Sequence, residues 1–156
     1  MELTWEYLES KHIDTEKFYK IFSLRNQVFI VEQSCPYQDL DGLDLEKDTL
    51  HVVGSKGKKI IAYARILQAY KSSKQIVVGR IIIDPSVRGA KLGHKLMENV
   101  VSFIERSYPE SPIFLSAQAH LQSFYAKHGF QAVSEVYLED NIPHIGMLRG
   151  INSNWS

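Results

Sequence analysis

Residues 4–8 alternate apolar and polar side chains, with Trp5 and Tyr7 on one face, and predict a first strand. Asp14 is the expected cap of a helix that carries Glu16 in its first turn. Phe18, Ile21, Phe22, Val28 and Phe29 then recur at helical spacing. Residues 34–48 break that rhythm with Pro36, Gly42 and a run of acids. Residues 50–54 and 60–67 predict a hairpin around the polar turn 55–58. Residues 76–83 predict the next strand, and its triple isoleucine suggests burial on both faces, hence a central place. Leu92, Leu96, Val100, Phe103 and Ile104 mark an amphipathic helix. Residues 113–116 predict a short strand. Leu121, Phe124 and Tyr125 share one face of a short helix stopped by Gly129. Residues 130–138 and 144–148 predict two last strands, joined by the polar turn 139–143. The order is strand, helix, three strands, helix, strand, helix, two strands. Residues 1–151 are expected to form one domain, and 152–156 a loose tail.

The chain has 156 residues, enough for one domain with a real core. Lysine plus arginine and aspartate plus glutamate balance at 18 each, so no charge footprint for nucleic acid or an anionic membrane is expected. No apolar run approaches the roughly 20 residues of a membrane span. Glu2, Glu6 and Glu9 argue against a signal peptide. The single cysteine, Cys35, excludes an internal disulfide and reads as an inert side chain in a reducing cytoplasm.

The most informative stretch runs from the isoleucine strand through Asp84-Pro85 into a basic, glycine-bearing turn. There Arg88-Gly89-Ala90-Lys91-Leu92-Gly93 leads straight into the amphipathic helix. Backbone N–H groups at a helix start point outward, and the helix dipole favours an anion there. Arg88 and Lys91 add positive charge, and Gly89 and Gly93 allow close approach. This order makes a phosphate cradle. Lys91 is expected to be helical, because a left-handed conformation is costly for lysine.

These residues resemble the GNAT superfamily of acyl-CoA-dependent N-acyltransferases. The cradle is similar to the superfamily's pyrophosphate loop, Q/R-x-x-G-x-G/A, with Lys91 in place of its first glycine. Tyr125-Ala126-Lys127-His128-Gly129-Phe130 is similar to its late Tyr-x-x-x-Gly-Phe element. Leu24-Arg25-Asn26-Gln27-Val28-Phe29-Ile30-Val31-Glu32-Gln33, Cys35-Pro36-Tyr37-Gln38-Asp39, Ala117-Gln118-Ala119-His120-Leu121-Gln122 and Ile142-Pro143-His144-Ile145-Gly146-Met147 resemble the ElaA-type branch. The resemblance implies an α/β fold: a mixed, mostly antiparallel sheet of about seven strands with a splayed parallel pair, flanked by about four helices. It implies direct transfer of an acetyl group from acetyl-CoA to an amine of a small molecule or protein, without a metal. A non-catalytic acyl-CoA sensor and a transferase of longer acyl groups are the alternatives.

On that resemblance the cofactor would lie against Ile81, Ile82, Ile83, Arg88, Gly89, Ala90, Lys91, Leu92, Gly93 and His94. Gln118 stands where many relatives carry a cofactor-bonding asparagine, and Tyr125 stands at the position of the donor to the leaving thiolate. A bulge at Ile83 would free an N–H for the oxyanion. An ammonium acceptor must first lose a proton, and Glu32, His120 and His144 are the candidate bases. Arg25, His51 and Arg65 are further candidates for the acceptor cleft. Read from the residues alone, Arg25 is an arginine with a packed stem and a wet head. His51 and Arg65 equally suit polar pairing on a strand. Asp39, Asp41, Asp44, Glu46 and Asp48 read chiefly as a solvated loop, and also as a lure for a cationic substrate. The edge of the late strands leaves a homodimer open.

Overall fold

A computed structural model describes residues 2–67, 75–89 and 91–150. Among them follow β1 (Thr4–Glu9), α1 (Thr15–Arg25), β2 (Thr49–Lys56), β3 (Lys59–Leu67), β4 (Ile76–Ile83), α2 (Leu92–Ser107), β5 (Ile113–Gln118), α3 (Gln122–Ala126), β6 (Gln131–Ala132), β7 (Tyr137–Glu139) and β8 (Ile142–Arg149). The expected tail and Ala90 lie outside the described residues.

The strands form one sheet in the order β1-β2-β3-β4-β5-β8-β6, with β7 also paired to β8. Every pairing is antiparallel except β4–β5. That parallel pair holds only at Ile76↔Ile113 and Val77↔Phe114. Beyond it the two strands part, and the sheet opens at its middle.

Helices cover both faces of the sheet, as strands with long apolar runs require. On one face Leu96, Met97, Val100 and Ile104 of α2 pack on Val52, Ala62, Ala64 and Val78. On the other, Ile21 and Leu24 of α1 pack on Val53, Tyr63 and Ile82. Alternate residues of the same strands thus feed two cores, as the two-residue period of a strand dictates. Asp14 caps α1 by accepting the Lys17 N–H at 2.8 Å.

Three local expectations are corrected. About four helices were expected; among the described residues three α-helices form, and the first continues as a π-helical segment, Asn26–Glu32. Residues 130–138 are not one strand. Ser134 Oγ accepts the Gly146 N–H at 2.8 Å, so a side chain takes a ladder bond that backbone would otherwise make. The strand breaks there into β6 and β7. Lys91 is left-handed, with φ 61° and ψ 20°, at the N-cap of α2. The cradle bends through Gly89 (φ 90°) and Lys91 together, both in the left-handed region that glycine reaches at lower cost than lysine.

Candidate active site

Where β4 and β5 part, two cavities meet. The first, about 440 Å³, lies towards the cradle and includes Ile81, Ile82, Ile83, Arg88, Gly93, Gln118 and His120. The second, about 130 Å³, lies towards β7 and β8 and includes Arg80, Ser116, Glu139, Asp140 and His144. Phe29, Gln33, Ile81, Gln118, Leu121 and Tyr125 line both. The cleft therefore runs through the gap, and the π-helical segment sets Phe29 at its rim.

A bulge opens β4 at this place. Tyr63 pairs with Ile82 and Arg65 with Gly79, so Arg80 and Ile81 together face Ala64. Arg80 is left-handed, with φ 50°. A non-glycine residue there costs energy and persists when its surroundings fix it. Here Arg80 Nε donates to Asp39 Oδ1 at 2.8 Å and Nη2 to the Asp39 carbonyl at 2.9 Å. The bulge expected at Ile83 thus sits at Arg80–Ile81. Ile83 itself pairs with Ala62, while the Asp84 N–H bonds the Ile61 carbonyl at 2.8 Å. Antiparallel alternation then turns the Ile83 N–H away from β3 and into the gap.

The cradle is suited to an anion. No side chain caps the start of α2, so its first N–H groups keep their outward donors. Arg88 stands beside them and holds Glu32 in a two-pronged pair, both contacts at 2.8 Å. That pair keeps the Glu32 carboxylate below its ordinary range, chiefly through the hydrogen bond from Arg88. Arg88 Nε also donates to the Ile83 carbonyl at 3.2 Å, which ties the cradle to β4. His94 Nδ1 and His128 Nε2 lie 2.8 Å apart and share one proton.

Tyr125 stands between the two cavities and is 6% exposed. Burial pushes its phenol up to about 12. A phenol so placed is a proton donor and never an anion near neutral pH. His120 is exposed at the rim of the larger cavity, with Glu32 on the same lining.

Arg25, His51 and Arg65 line neither cavity. Arg25 is fully buried and sits between the rings of Phe22 and Tyr63. It donates to Asp39 at 3.0 Å and to Asp44 at 2.5 Å. Burial works against its charge, but Asp44 and Asp39 more than offset that and raise its pKa. Arg65 donates to Asp41 at 2.9 Å and Asp44 at 3.1 Å. Its Nε is the buried side-chain polar atom left without a partner among the described residues. His51 is neutral and satisfied: Nε2 donates to the Asp44 carbonyl at 2.9 Å and Nδ1 accepts from Tyr63 at 2.6 Å. The wet head expected of Arg25 is overturned, because Asp39 and Asp44 follow it into the interior. The solvated reading of that loop is overturned for Asp39 and Asp44, while Glu46 and Asp48 are exposed as expected. Asp39 and Asp44 are 9% and 5% exposed, and three aspartates match Arg25, Arg65 and Arg80 in charge. Among the described residues no three His, Cys, Asp or Glu side chains converge as metal ligands.

Glu139, Ser116 and Arg80 of the smaller cavity had no place in the sequence expectations. One signal pointed to Glu139. Asp140 and Asn141 suit the left-handed positions of a two-residue hairpin turn, and both have positive φ, 49° and 66°. That turn sets Glu139 opposite Ile142 and next to the Tyr137↔His144 pair.

Among the described residues the sheet parts at its one parallel pair, with an anion cradle on one side of the gap, which is the scaffold of an acyltransferase fold. The acetyltransferase (GNAT) domain model matches residues 11–149, and the chain belongs to this family. It is similar to the Escherichia coli protein ElaA, 44% identical over 149 residues, which cover 96% of this chain and 97% of that one. The crystal structure of Escherichia coli ElaA superposes with a TM-score of 0.91 at 43% identity, covering 95% and 99% of the two chains. An acyl-CoA N-acyltransferase from Pseudomonas aeruginosa gives 0.91 at 45%, covering 96% and 100%. Among the described residues no helix is long and apolar enough to cross a membrane.

Proposed function

We propose that this chain is an acetyl-CoA-dependent N-acetyltransferase for a primary amine. The carrying observation is the cleft itself: Tyr125 lines both the cavity at the cradle and the cavity on the far side of the gap. Family membership supports acyl-CoA as co-substrate. The uncapped start of α2, with Gly89, Lys91 and Gly93 at the bend, would take its diphosphate, and Arg88 would exchange Glu32 for phosphate oxygens. The pantetheine arm would lie along β4 as an added strand, within reach of the Ile83 N–H. That N–H, held by a fixed backbone, would also suit the oxyanion that forms as the amine attacks. Tyr125 would give its proton to the leaving thiolate. Of the expected bases, Glu32 is held ionised by Arg88 in this state, and His120 stands free at the rim.

Two measurements on the purified protein test this. Calorimetry with acetyl-CoA should show saturable heat, and acetyl-CoA with a set of primary amines should release free thiol. Tyr125→Phe should keep the heat and lower kcat by about 100-fold. No heat with coenzyme A at millimolar levels ends the proposal. A faster reaction with longer acyl-CoA than with acetyl-CoA would correct the acyl group.

A further inference from the structure

The smaller cavity holds a polar cluster that the transfer chemistry above does not use. Ser116 on β5, Glu139 on β7 and His144 on β8 line it, and Tyr137 of β7 is bonded to Ser116 beside them. His144 is 8% exposed. Its Nδ1 lies 2.7 Å from the Ile142 carbonyl, which can only accept. Nδ1 must therefore carry the hydrogen, and the neutral ring presents a bare lone pair at Nε2. Nε2 makes no hydrogen bond among the described residues; its polar neighbour is Glu139 Oε2 at 3.7 Å. Glu139 is positioned in turn. Its Oε1 accepts from Ser116 Oγ at 3.1 Å, and Ser116 is bonded to the Tyr137 hydroxyl. The Tyr137 ring stacks on His144 at 6.3 Å.

The surrounding charge is negative. Glu139 and Asp140 are carboxylates, and the nearby Arg80 is committed to Asp39 and Asp41. The other titratable groups on the lining are Cys35, whose thiol donates to the Asp140 carbonyl, Tyr37, whose hydroxyl donates to Asp39, and Tyr125.

We propose that this cavity is the acceptor site, that it takes a primary alkylammonium group, and that His144 Nε2 is the base that deprotonates it. The inference rests on the acyltransferase reading above. Glu139 draws in the cation and then steadies the imidazolium. The steps balance. The ammonium gives one proton to Nε2, and the free amine nitrogen bonds the thioester carbonyl carbon. As the C–S bond breaks, the nitrogen sheds a second proton and the thiolate takes one from Tyr125, which solvent replaces. The products are the amide and the free thiol, with one proton released to solvent in all. An aromatic amine, uncharged at neutral pH, offers Glu139 no positive charge to draw in.

The test uses acetyl-CoA with n-butylamine, 1,4-diaminobutane and aniline, following thiol release from about pH 6 to about pH 10. The alkylamines should turn over and aniline should not. His144→Gln should lower kcat/KM by about 100-fold at pH 7, and the deficit should shrink at high pH as the amine deprotonates unaided. Glu139→Gln should raise the KM for n-butylamine by about tenfold with kcat less affected. Glu139 is half exposed, so this variant keeps the test alive if His144→Gln does not fold. Both variants should bind acetyl-CoA as the parent does. An unchanged pH profile for a folded His144→Gln, or an unchanged amine KM for Glu139→Gln, overturns the inference, as does alkylamine silence in a parent that binds acetyl-CoA. Absence of acetyl-CoA binding by the parent would instead strike the earlier reading.

Discussion

Asp44→Asn tests the buried charge network that holds the 38–48 loop. Asp44 accepts from Arg25 at 2.5 and 3.3 Å and from Arg65 at 3.1 Å. The side chains are 6%, 0% and 4% exposed. Asparagine keeps the shape and one acceptor oxygen but removes the charge. Three buried or half-buried arginines then face two aspartates. Removing one partner of a buried pair costs roughly 3–5 kcal/mol, and the retained oxygen places this change near 3. With a urea slope of about 2 kcal/mol per M, the midpoint should fall by about 1.5 M. Glu105→Gln is the control, since the Glu105 side chain in its pair with Arg149 is 50% exposed. That change should cost under about 1 kcal/mol. Equilibrium unfolding followed by tryptophan fluorescence reads both. Burial raises the Asp44 pKa, but Arg25 and Arg65 lower it further, so the net shift is downward. Its stabilising effect is therefore present above the ordinary carboxylate range and lost as pH falls through the lower folded value. Asp44→Asn should accordingly flatten the acid limb of stability against pH. A loss below about 1 kcal/mol, or an unaltered acid limb, would refute a desolvated, charge-balanced network.

Glu32→Gln should free Arg88 for phosphate and tighten acetyl-CoA binding by up to about fivefold by calorimetry, since so exposed a pair is worth no more than about 1 kcal/mol. Unchanged affinity would mean that Arg88 does not meet the cofactor. Asp41 adds a second acid-labile contribution. Burial raises its carboxyl, but Arg65, the Leu43 N–H and Arg80 bring it down to about 2 from an ordinary 3.8. Its contribution of about 1–2 kcal/mol, reduced for partial exposure, should hold above about pH 4 and vanish towards about pH 2; Asp41→Asn should remove it in urea melts. Gly129→Ala should cost about 1–3 kcal/mol in thermal unfolding, because φ is 89° and the new Cβ would meet Arg149 Nε at 2.8 Å.

Much of the fold was legible because its signals are local. The strand expected at 76–83 forms as Ile76–Ile83, and the apolar stripe through Leu96, Val100 and Ile104 lies on the sheet as its period demands. The Lys91 conformation was misjudged from residue preference alone. Preference is a weak guide where a strand and a sixteen-residue helix fix both ends of a turn. The break at Ser134 was missed because a serine in a strand pattern gives no sign that its hydroxyl will replace a backbone acceptor.

The candidate site divides in the same way. The bend at 88–93 and the Tyr125 helix lie in continuous stretches whose spacing is itself the signal, so the sequence alone was enough to place the family and the turn that leads into α2. The far side of the gap is assembled across the sheet. Ser116 meets Glu139 over 23 residues and Arg80 meets Asp39 over 41, while on the cradle side Arg88 meets Glu32 over 56. Charge pairing at such separations leaves no periodic trace in a chain, because burial decides it, and burial exists only once the strands have paired. Period and turn chemistry determined the elements and their order; strand pairing decided which arginines went inside, which carboxylate met the cradle, and which histidine faced the cleft with its lone pair bare.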